Sequence, residues 1–430
     1  MNYAETVEYL YTHLPMFQKI GASALKKDLS NTLFLINFLG EPHKKFKSVH
    51  IAGTNGKGSS AHTLAAILQS AGYKTGLYTS PHLKNFTERI KINGQEISQD
   101  KVISFVEKIR PAIESIHPSF FEVTVAMAFD IFANENIDIA IIETGLGGRL
   151  DSTNVINPLL SLITNIGYDH QAILGESLEE IAGEKAGIIK QATPIIVGEY
   201  QTEIAHVFES KAKEQNASLF FAEKQFAIVP KESHDQYNVV DIYFNDKIYI
   251  EGLSISLTGL YQRKNIAGIL KSIQILKELG YEISEKDIRN GFQHVASLTG
   301  LKGRWQVLGK DPLVVCDTGH NESGIAYIVQ QFSGLTFTQL HIVLGVANDK
   351  KLEGIFKLLP KDAFYYFCQA KVPRAMEAGL LAQQAKQYEL TGKIVPDVND
   401  AIKEAKSKAT ATDMIFIGGS SFVVAEIEGL

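Results

Sequence analysis

Cysteine is nearly absent from this chain. Cys316 and Cys368 are the only two in 430 residues, far apart and outside any metal-ligand spacing, which excludes a disulfide framework and a thiolate zinc site. A basic excess is also missing. The 42 Lys and Arg stand against 48 Asp and Glu, a net charge of −6, which argues against a nucleic-acid surface while leaving room for local binding of a polyanion. No apolar run is long enough to span a membrane, and no basic stretch followed by an apolar one opens the chain. Internal repeats and low-complexity tracts are lacking too. At 45% hydrophobic and 21% charged this is globular material, and its length exceeds what one core usually fills. Two domains are expected, in a cytoplasmic, monomeric enzyme of small molecules with no nucleic-acid or membrane partner.

One stretch organises the rest. Residues 48–52 form a short apolar run, Gly53-Thr54-Asn55-Gly56-Lys57-Gly58-Ser59 follows, and residues 60–70 carry Leu64, Ala65, Ile67 and Leu68 at helical spacing before Gly72. Strand, glycine-rich loop and helix in this order meet the requirements of a phosphate cradle, the alternative being a plain glycine-rich βα turn with a solvated lysine. Glycines let successive N–H groups converge, the helix N-terminus adds positive potential, and Lys57 brings a mobile cation beside the Ser59 hydroxyl. The spacing departs from the standard Walker pattern, because Gly53 lies three residues before Gly56 and Gly58 separates Lys57 from Ser59.

Helices are expected over 4–14 and 30–39, a strand over 74–79 leading into the polar segment Ser80 to Arg89, and helices over 100–136 broken near Pro118, with Phe120 and Phe121 beside the break. The apolar run 137–142 reads as a strand buried on both faces, ending in Glu143-Thr144-Gly145-Leu146-Gly147-Gly148-Arg149-Leu150-Asp151. A strand at 159–163 ends in Thr164-Asn165-Ile166-Gly167-Tyr168-Asp169-His170. A helix bearing Lys185 and a strand at 194–197 come next, and short alternating runs over 226–257 suggest an antiparallel appendage. Helices over 262–279 and 285–292 complete a first domain, 1–296, and a linker covers 297–304. The second α/β series, 305–430, has strands at 313–316, 341–346, 363–368 and 414–417, of which the first ends in Asp317-Thr318-Gly319-His320-Asn321 and the last in Gly418-Gly419-Ser420. The fold class is therefore α/β. A mostly parallel sheet with a phosphate loop and a small antiparallel appendage precedes a smaller Rossmann-like domain.

Loops at the carboxyl ends of one parallel sheet meet in space. This convergence places Ser59, Ser80, Glu143, His170 and Lys185 around the phosphate loop, a mixed O/N set suited to Mg²⁺ or Mn²⁺ with phosphate oxygens and waters. Taken singly, Glu143 also suits a structural ion pair, His170 a hydrogen-bonded core histidine, and either phenylalanine the core.

Together, Gly-Thr-Asn-Gly-Lys-Gly-Ser at 53–59, Thr79-Ser80-Pro81-His82-Leu83, Glu143 to Asp151, Thr164 to Gly167 with Asp169-His170, and Glu184-Lys185-Ala186-Gly187-Ile188 resemble the Mur ligase superfamily. Within it they resemble the folylpolyglutamate synthase and dihydrofolate synthase family, over essentially the whole chain. The resemblance implies an ATP-dependent amide ligase: an acceptor carboxylate takes the γ-phosphoryl group, and the amine of L-glutamate displaces phosphate. It implies a triphosphate cradle at Thr54, Asn55, Gly56, Lys57, Gly58 and Ser59, with Asn265, Arg304 and Asp317 as further ATP contacts. Metal ligands would be Ser59, Ser80, Glu143, His170 and Lys185. A folate pocket would involve His82, Arg89, Phe121 and Asp151, and a glutamate site Arg304, His320 and Ser420. Lys57, Lys185, His320 and Arg304 would be catalytic. Thr318 departs from the family, which usually has Ala there. A lysine desolvated near cations loses its proton readily and its amine reacts with CO₂, and the matching lysine of related ligases is often carbamylated, so a carbamylated Lys185 is expected beside ATP and Mg²⁺, with K⁺ as a further candidate ion. Two alternatives stay open here: a cell-wall-type ligase and a nucleotide-driven switch with slow ATPase activity.

Overall fold

The computed structural model describes residues 1–16, 21, 28–234, 236–348 and 350–430. It divides into two compact units, Met1–Thr258 with Gln262–Leu301, and Lys302–Leu430 with Gly259–Tyr261.

The first unit holds an eight-stranded sheet built from β1 (Lys47–Ala52), β2 (Thr75–Tyr78), β3 (Ile90–Ile92), β4 (Gln95–Glu96), β5 (Ile139–Glu143), β6 (Leu160–Ile163), β7 (Ile195–Val197) and β8 (Leu219–Phe221). Their order is β4-β3-β2-β5-β1-β6-β7-β8. The six strands from β2 to β8 run parallel, while β3 and β4 add an antiparallel edge. Every residue of β5 is buried, as expected of a strand covered by helices on both faces. Alternation assigns the faces. Val49, Ile51, Ile139 and Ile141 pack on one side with Leu64 and Leu68 of the helix Lys57–Ser70, and Ala140 and Ile142 pack on the other with Val123 and Met127 of the helix Phe120–Asn134. β9 (Phe226–Ser233), β10 (Asn238–Phe244) and β11 (Lys247–Ile255) form the antiparallel appendage.

In the second unit, β12 (Gln306–Lys310), β13 (Leu313–Cys316), β14 (Leu340–Leu344), β15 (Phe364–Phe367), β16 (Gly392–Ile394) and β17 (Met414–Gly418) are ordered β12-β13-β17-β14-β15-β16. Only β12 is antiparallel to its neighbour.

The structure adds to the sequence reading and alters it in places. β3, β4, β8, β12 and β16 were not anticipated, being short or at sheet edges. The break at Pro118 is a helix C-cap at His117 followed by a new N-cap, Ser119, in a capping box with Glu122. Pro111, by contrast, is accommodated inside the helix Gln99–Ile116. The expected linker at 297–304 begins within a helix, Val295–Thr299. That helix is clamped: His62 Nδ1 lies 2.7 Å from Thr299 Oγ1, and Lys91 Nζ donates to the Thr299 carbonyl at 2.8 Å.

Asn93 and Gly94, both at positive φ (47° and 74°), make the two-residue turn between β3 and β4 that favours Asn-Gly. A Cβ on Gly94 would lie 1.8 Å from the Leu298 carbonyl oxygen. Gly94→Ala therefore combines backbone strain with a backbone clash, and chemical denaturation should show a loss of about 2 kcal/mol or more; wild-type stability would contradict this packing.

Candidate active site

Four carboxyl ends of parallel strands carry the first unit's polar residues. β1 leads into the phosphate loop, β2 into Ser80, β5 ends on Glu143 and β6 leads into Thr164. The loop conformation excludes side chains at two points. Gly53 has φ +148° and a Cβ there would sit 1.8 Å from Thr164 Oγ1; Gly56 has φ +84° and a Cβ would sit 2.2 Å from Asn265 Oδ1. Gly56 is also the N-cap of the helix Lys57–Ser70.

The β6 loop holds the phosphate loop from the side. Thr54 N–H donates to the Asn165 carbonyl and Asn55 N–H to Asn165 Oδ1, both at 2.9 Å, while Thr164 Oγ1 donates to the Asn55 carbonyl at 2.6 Å. The amides of Thr54 and Asn55, expected to cradle phosphate, are thus committed to Asn165 and shape the loop. The first-turn amides that follow Gly56 carry the anion-binding potential of a helix N-terminus. Ser59 is buried and its Oγ accepts from Gln262 Nε2 at 3.0 Å, with Gln262 in turn accepting from Asn265 Nδ2 at 2.9 Å. Gln262 was not singled out in the sequence, and only its place one turn before Asn265 on the same helix hints at it.

Two ammonium groups converge on one carbonyl. Lys57 Nζ donates to Gly53 O at 2.9 Å and Thr54 O at 3.0 Å, and Lys185 Nζ donates to Gly53 O at 2.9 Å. Lys185 is buried, and burial first, then the neighbouring Lys57 charge, lowers its pKa to about 7. Glu143, also buried, accepts from the Ser80 amide at 3.1 Å. His170 has left-handed backbone (φ 50°) and its Nε2 is 3.9 Å from Asp169 Oδ1. Among the described residues no group of three or more His, Cys, Asp and Glu assembles as a metal cage; of the five expected ligands only Glu143 and His170 are of those types. The hard oxygens of Ser59, in the first turn of the helix after β1, and of Glu143, at the end of the neighbouring β5, fit an ion such as Mg²⁺, which keeps waters and phosphate oxygens in its shell.

The Ser80 to Arg89 segment builds an aromatic and basic cluster. Arg89 is buried, its Nε donates to His82 Nδ1 at 2.7 Å, and its guanidinium lies 5.2 Å from the Phe120 ring centre. Burial works against the Arg89 charge, which Tyr78, Tyr11 and Glu143 partly offset. Because His82 accepts at Nδ1, its proton sits on Nε2, 3.3 Å from the Tyr11 hydroxyl, and burial followed by Arg89 holds its pKa well below the usual value. The Phe121 ring lies against Gly145, where a Cβ would be 2.5 Å from Cζ. Asp151, expected to bind folate, is engaged inside its own loop. Its Oδ2 accepts from the amides of Gly145 (2.9 Å) and Leu146 (2.8 Å), and its Oδ1 from the Thr153 amide (3.0 Å) and hydroxyl (2.5 Å).

In the second unit, the Asp317 carboxylate follows β13 and accepts from Tyr261 Oη (2.6 Å), Trp305 N–H (2.7 Å) and Gly319 N–H (2.7 Å). Trp305, the only tryptophan of the chain, has positive φ (46°). Arg304 donates to the Thr318 hydroxyl and to the Gly303 carbonyl, so the residue that departs from the family pattern receives a guanidinium N–H. His320 Nδ1 lies 3.0 Å from the Thr318 carbonyl. Ser420 follows the adjacent β17 and caps the helix Ser421–Glu426, its Oγ accepting from Phe422 N–H.

The comparisons match this architecture. The Mur ligase middle domain covers residues 51–271 and the Mur ligase glutamate ligase domain residues 303–421. A dihydrofolate synthase/folylpolyglutamate synthase of Bacillus subtilis is 34% identical across 99% of this chain and 98% of its own length. This chain belongs to that family of Mur ligases. A folylpolyglutamate synthase of Lacticaseibacillus casei is 30% identical over 98% of this chain and 100% of its own. Among solved structures, the Mycobacterium tuberculosis folylpolyglutamate synthase complexed with ADP and AMPPCP aligns with TM-score 0.88, 29% identity and 99% and 98% coverage of this chain and its own. Escherichia coli FolC in complex with DHPP and ADP aligns with TM-score 0.84, 29% identity and 99% and 96% coverage.

The fully buried His50 of β1 adds a pH dependence to this family fold. Burial, with Lys190 adding, pushes its pKa down to about 3, against about 6.5 in an unfolded chain. Below about pH 6.5 the unfolded state takes up a proton that the folded state refuses, so stability falls as pH drops toward 3. His50→Gln removes that share, and its stability relative to wild type should improve by roughly 1–2 kcal/mol between pH 7 and pH 5. A difference independent of pH, measured by denaturant titration, would contradict a neutral His50.

Proposed function

We propose that this chain is an ADP-forming amide ligase that adds L-glutamate to a pteroate or folate acceptor. The observation that carries it is the gathering of the Gly53–Ser59 loop with Lys57, Ser80 and Glu143 at three adjacent strand ends, joined by Lys185 from the helix Leu178–Ala186, in a chain whose two matched domains are those of Mur ligases. The names of the relatives support the folate acceptor.

In this reading the first-turn amides after Gly56 receive the triphosphate, and Lys57 leaves the Gly53 and Thr54 carbonyls for the β/γ oxygens. Ser59 and Glu143 would hold Mg²⁺, which would supply charge neutralisation at the phosphoryl group. The acceptor carboxylate oxygen attacks the γ-phosphorus and ADP leaves. The amine of glutamate then attacks the acyl phosphate carbon, loses a proton and expels phosphate. His82, Arg89, Phe121 and Asp151 are proposed as the acceptor side of the site. Arg304, Asp317, His320 and Ser420 are proposed as the second domain's contribution to nucleotide and glutamate, with Thr318 holding Arg304.

Lys185 is proposed to react with CO₂, its free amine forming a carbamate with release of a proton. Support comes from geometry, since the amine is buried within reach of Gly53 O beside Lys57, and from a pKa near 7, which leaves about half of it as free amine at neutral pH. The anion would then sit beside the Lys57 ammonium in place of a like charge.

Acceptor-dependent phosphate release, with dihydropteroate and tetrahydrofolate in parallel, tests the function. ATP hydrolysis indifferent to both acceptors and to glutamate would overturn it. Lys57→Ala should lose at least a hundredfold in turnover, as for loss of a preorganised charge at a phosphoryl group; a loss under tenfold would contradict its role. Arg304→Ala should lower turnover at least tenfold with dihydropteroate affinity within threefold, and loss of that affinity would reassign Arg304. Lys185→Ala should be nearly inactive and partly rescued by short carboxylic acids, whereas a fully active Lys185→Arg would exclude the carbamate.

A further inference from the structure

A buried hydrogen-bond chain runs from the central strand to the glycine loop after β5. The Thr153 hydroxyl has one proton and gives it to Asp151 Oδ1 (2.5 Å). Its oxygen therefore accepts from His50, whose Nε2 lies 2.8 Å away. That contact fixes the histidine tautomer, with the proton on Nε2, and Nδ1 is buried without a hydrogen-bond partner. His50 and Thr153 have no exposed surface at all. A polar chain kept in a core where aliphatic residues would pack without penalty needs a reason.

The reason lies at the far end of the chain. Asp151 Oδ2 gathers the amides of Gly145 and Leu146, and at Gly145 the loop runs so close to the Phe121 ring that a Cβ there would be 2.5 Å from Cζ. The other end of the loop has holds of its own. Arg149 N–H donates to the Glu184 carbonyl at 2.8 Å, the Arg149 guanidinium pairs with Glu184, and Asn154 Nδ2 donates to the Arg149 and Gly187 carbonyls at 3.1 and 3.0 Å. Loss of the buried chain would loosen the Gly145–Leu146 end and spare the end that packs on the Lys185 helix.

We infer that His50 and Thr153 are positioning residues for the acceptor, acting through Asp151 to set where the Gly145–Leu146 backbone stands relative to the Phe121 ring. His50 sits on β1 three residues before Gly53, so the strand that leads into the phosphate loop also sets the acceptor wall. Both substrates are then indexed to one rigid element, and the acceptor carboxylate is held in register with the triphosphate.

The inference rests on the folate reading, so wild-type phosphate release with dihydropteroate or tetrahydrofolate is measured first, and its absence would bring down both. With an active wild type, Thr153→Val and His50→Met should raise KM for the acceptor tenfold or more while KM for ATP stays within threefold. Thr153→Ser and His50→Gln, which keep a hydroxyl and a correctly placed N–H, should return the acceptor KM to within threefold of wild type. A merely structural role would lower the melting temperature, move both KM values together and show no rescue. That pattern, or a Thr153→Val variant with an unchanged acceptor KM, would overturn the inference and leave the ligase reading standing.

Discussion

Two lysine ammonium groups held on the single carbonyl oxygen of Gly53 set the terms for the first unit's site. Like charges this close in a buried place repel, and the repulsion is tolerable only if one group sheds its proton or an anion joins them. Burial and Lys57 bring the Lys185 pKa near 7. The loop cannot escape this arrangement by moving. Its backbone is tied to Thr164 and Asn165 on one side, and at Gly53 and Gly56 there is no room for a side chain. The result is preorganised positive potential at the end of the most central strand, the kind of electrostatic arrangement that phosphoryl transfer requires.

Much of this was legible in the amino-acid order because the chemistry leaves few choices. Glycines at 53 and 56 followed by Lys57 and a helical pattern have one economical reading, and the continuous apolar run ending on Glu143 could only be a strand covered on both faces. The parallel sheet then follows from alternation of strand and helix, and with it the meeting of Ser80, Glu143 and the phosphate loop. Residues 226–257 were readable for the opposite reason, their period of two being that of a half-exposed antiparallel sheet.

The rest depends on partners far apart in the chain. Nothing local to Gln262 announces that its amide reaches Ser59, nor does anything near Tyr261 point to Asp317. His50 sits in an apolar run and reads as a core residue; its bond to Thr153 crosses 103 positions. Asp151 stands out in the sequence as a carboxylate beside three glycines, yet nothing in the residue order says that it also gathers the loop's own amides. Short edge strands such as β4 and β16 carry too few residues for any period to emerge. A hydroxyl at position 318 could be noticed as a departure, but its receipt of an Arg304 N–H required the fold of β13 and the turn beside it.

The proposed ligase reaction makes a specific demand: the acceptor carboxylate itself, and not water, must take the γ-phosphoryl group. Labelling that carboxylate with oxygen-18 and analysing the released phosphate by mass spectrometry tests this most directly. Label in the phosphate, appearing only when ATP, acceptor and glutamate are all present, is the expected result. Phosphate free of label while the amide product forms would contradict it.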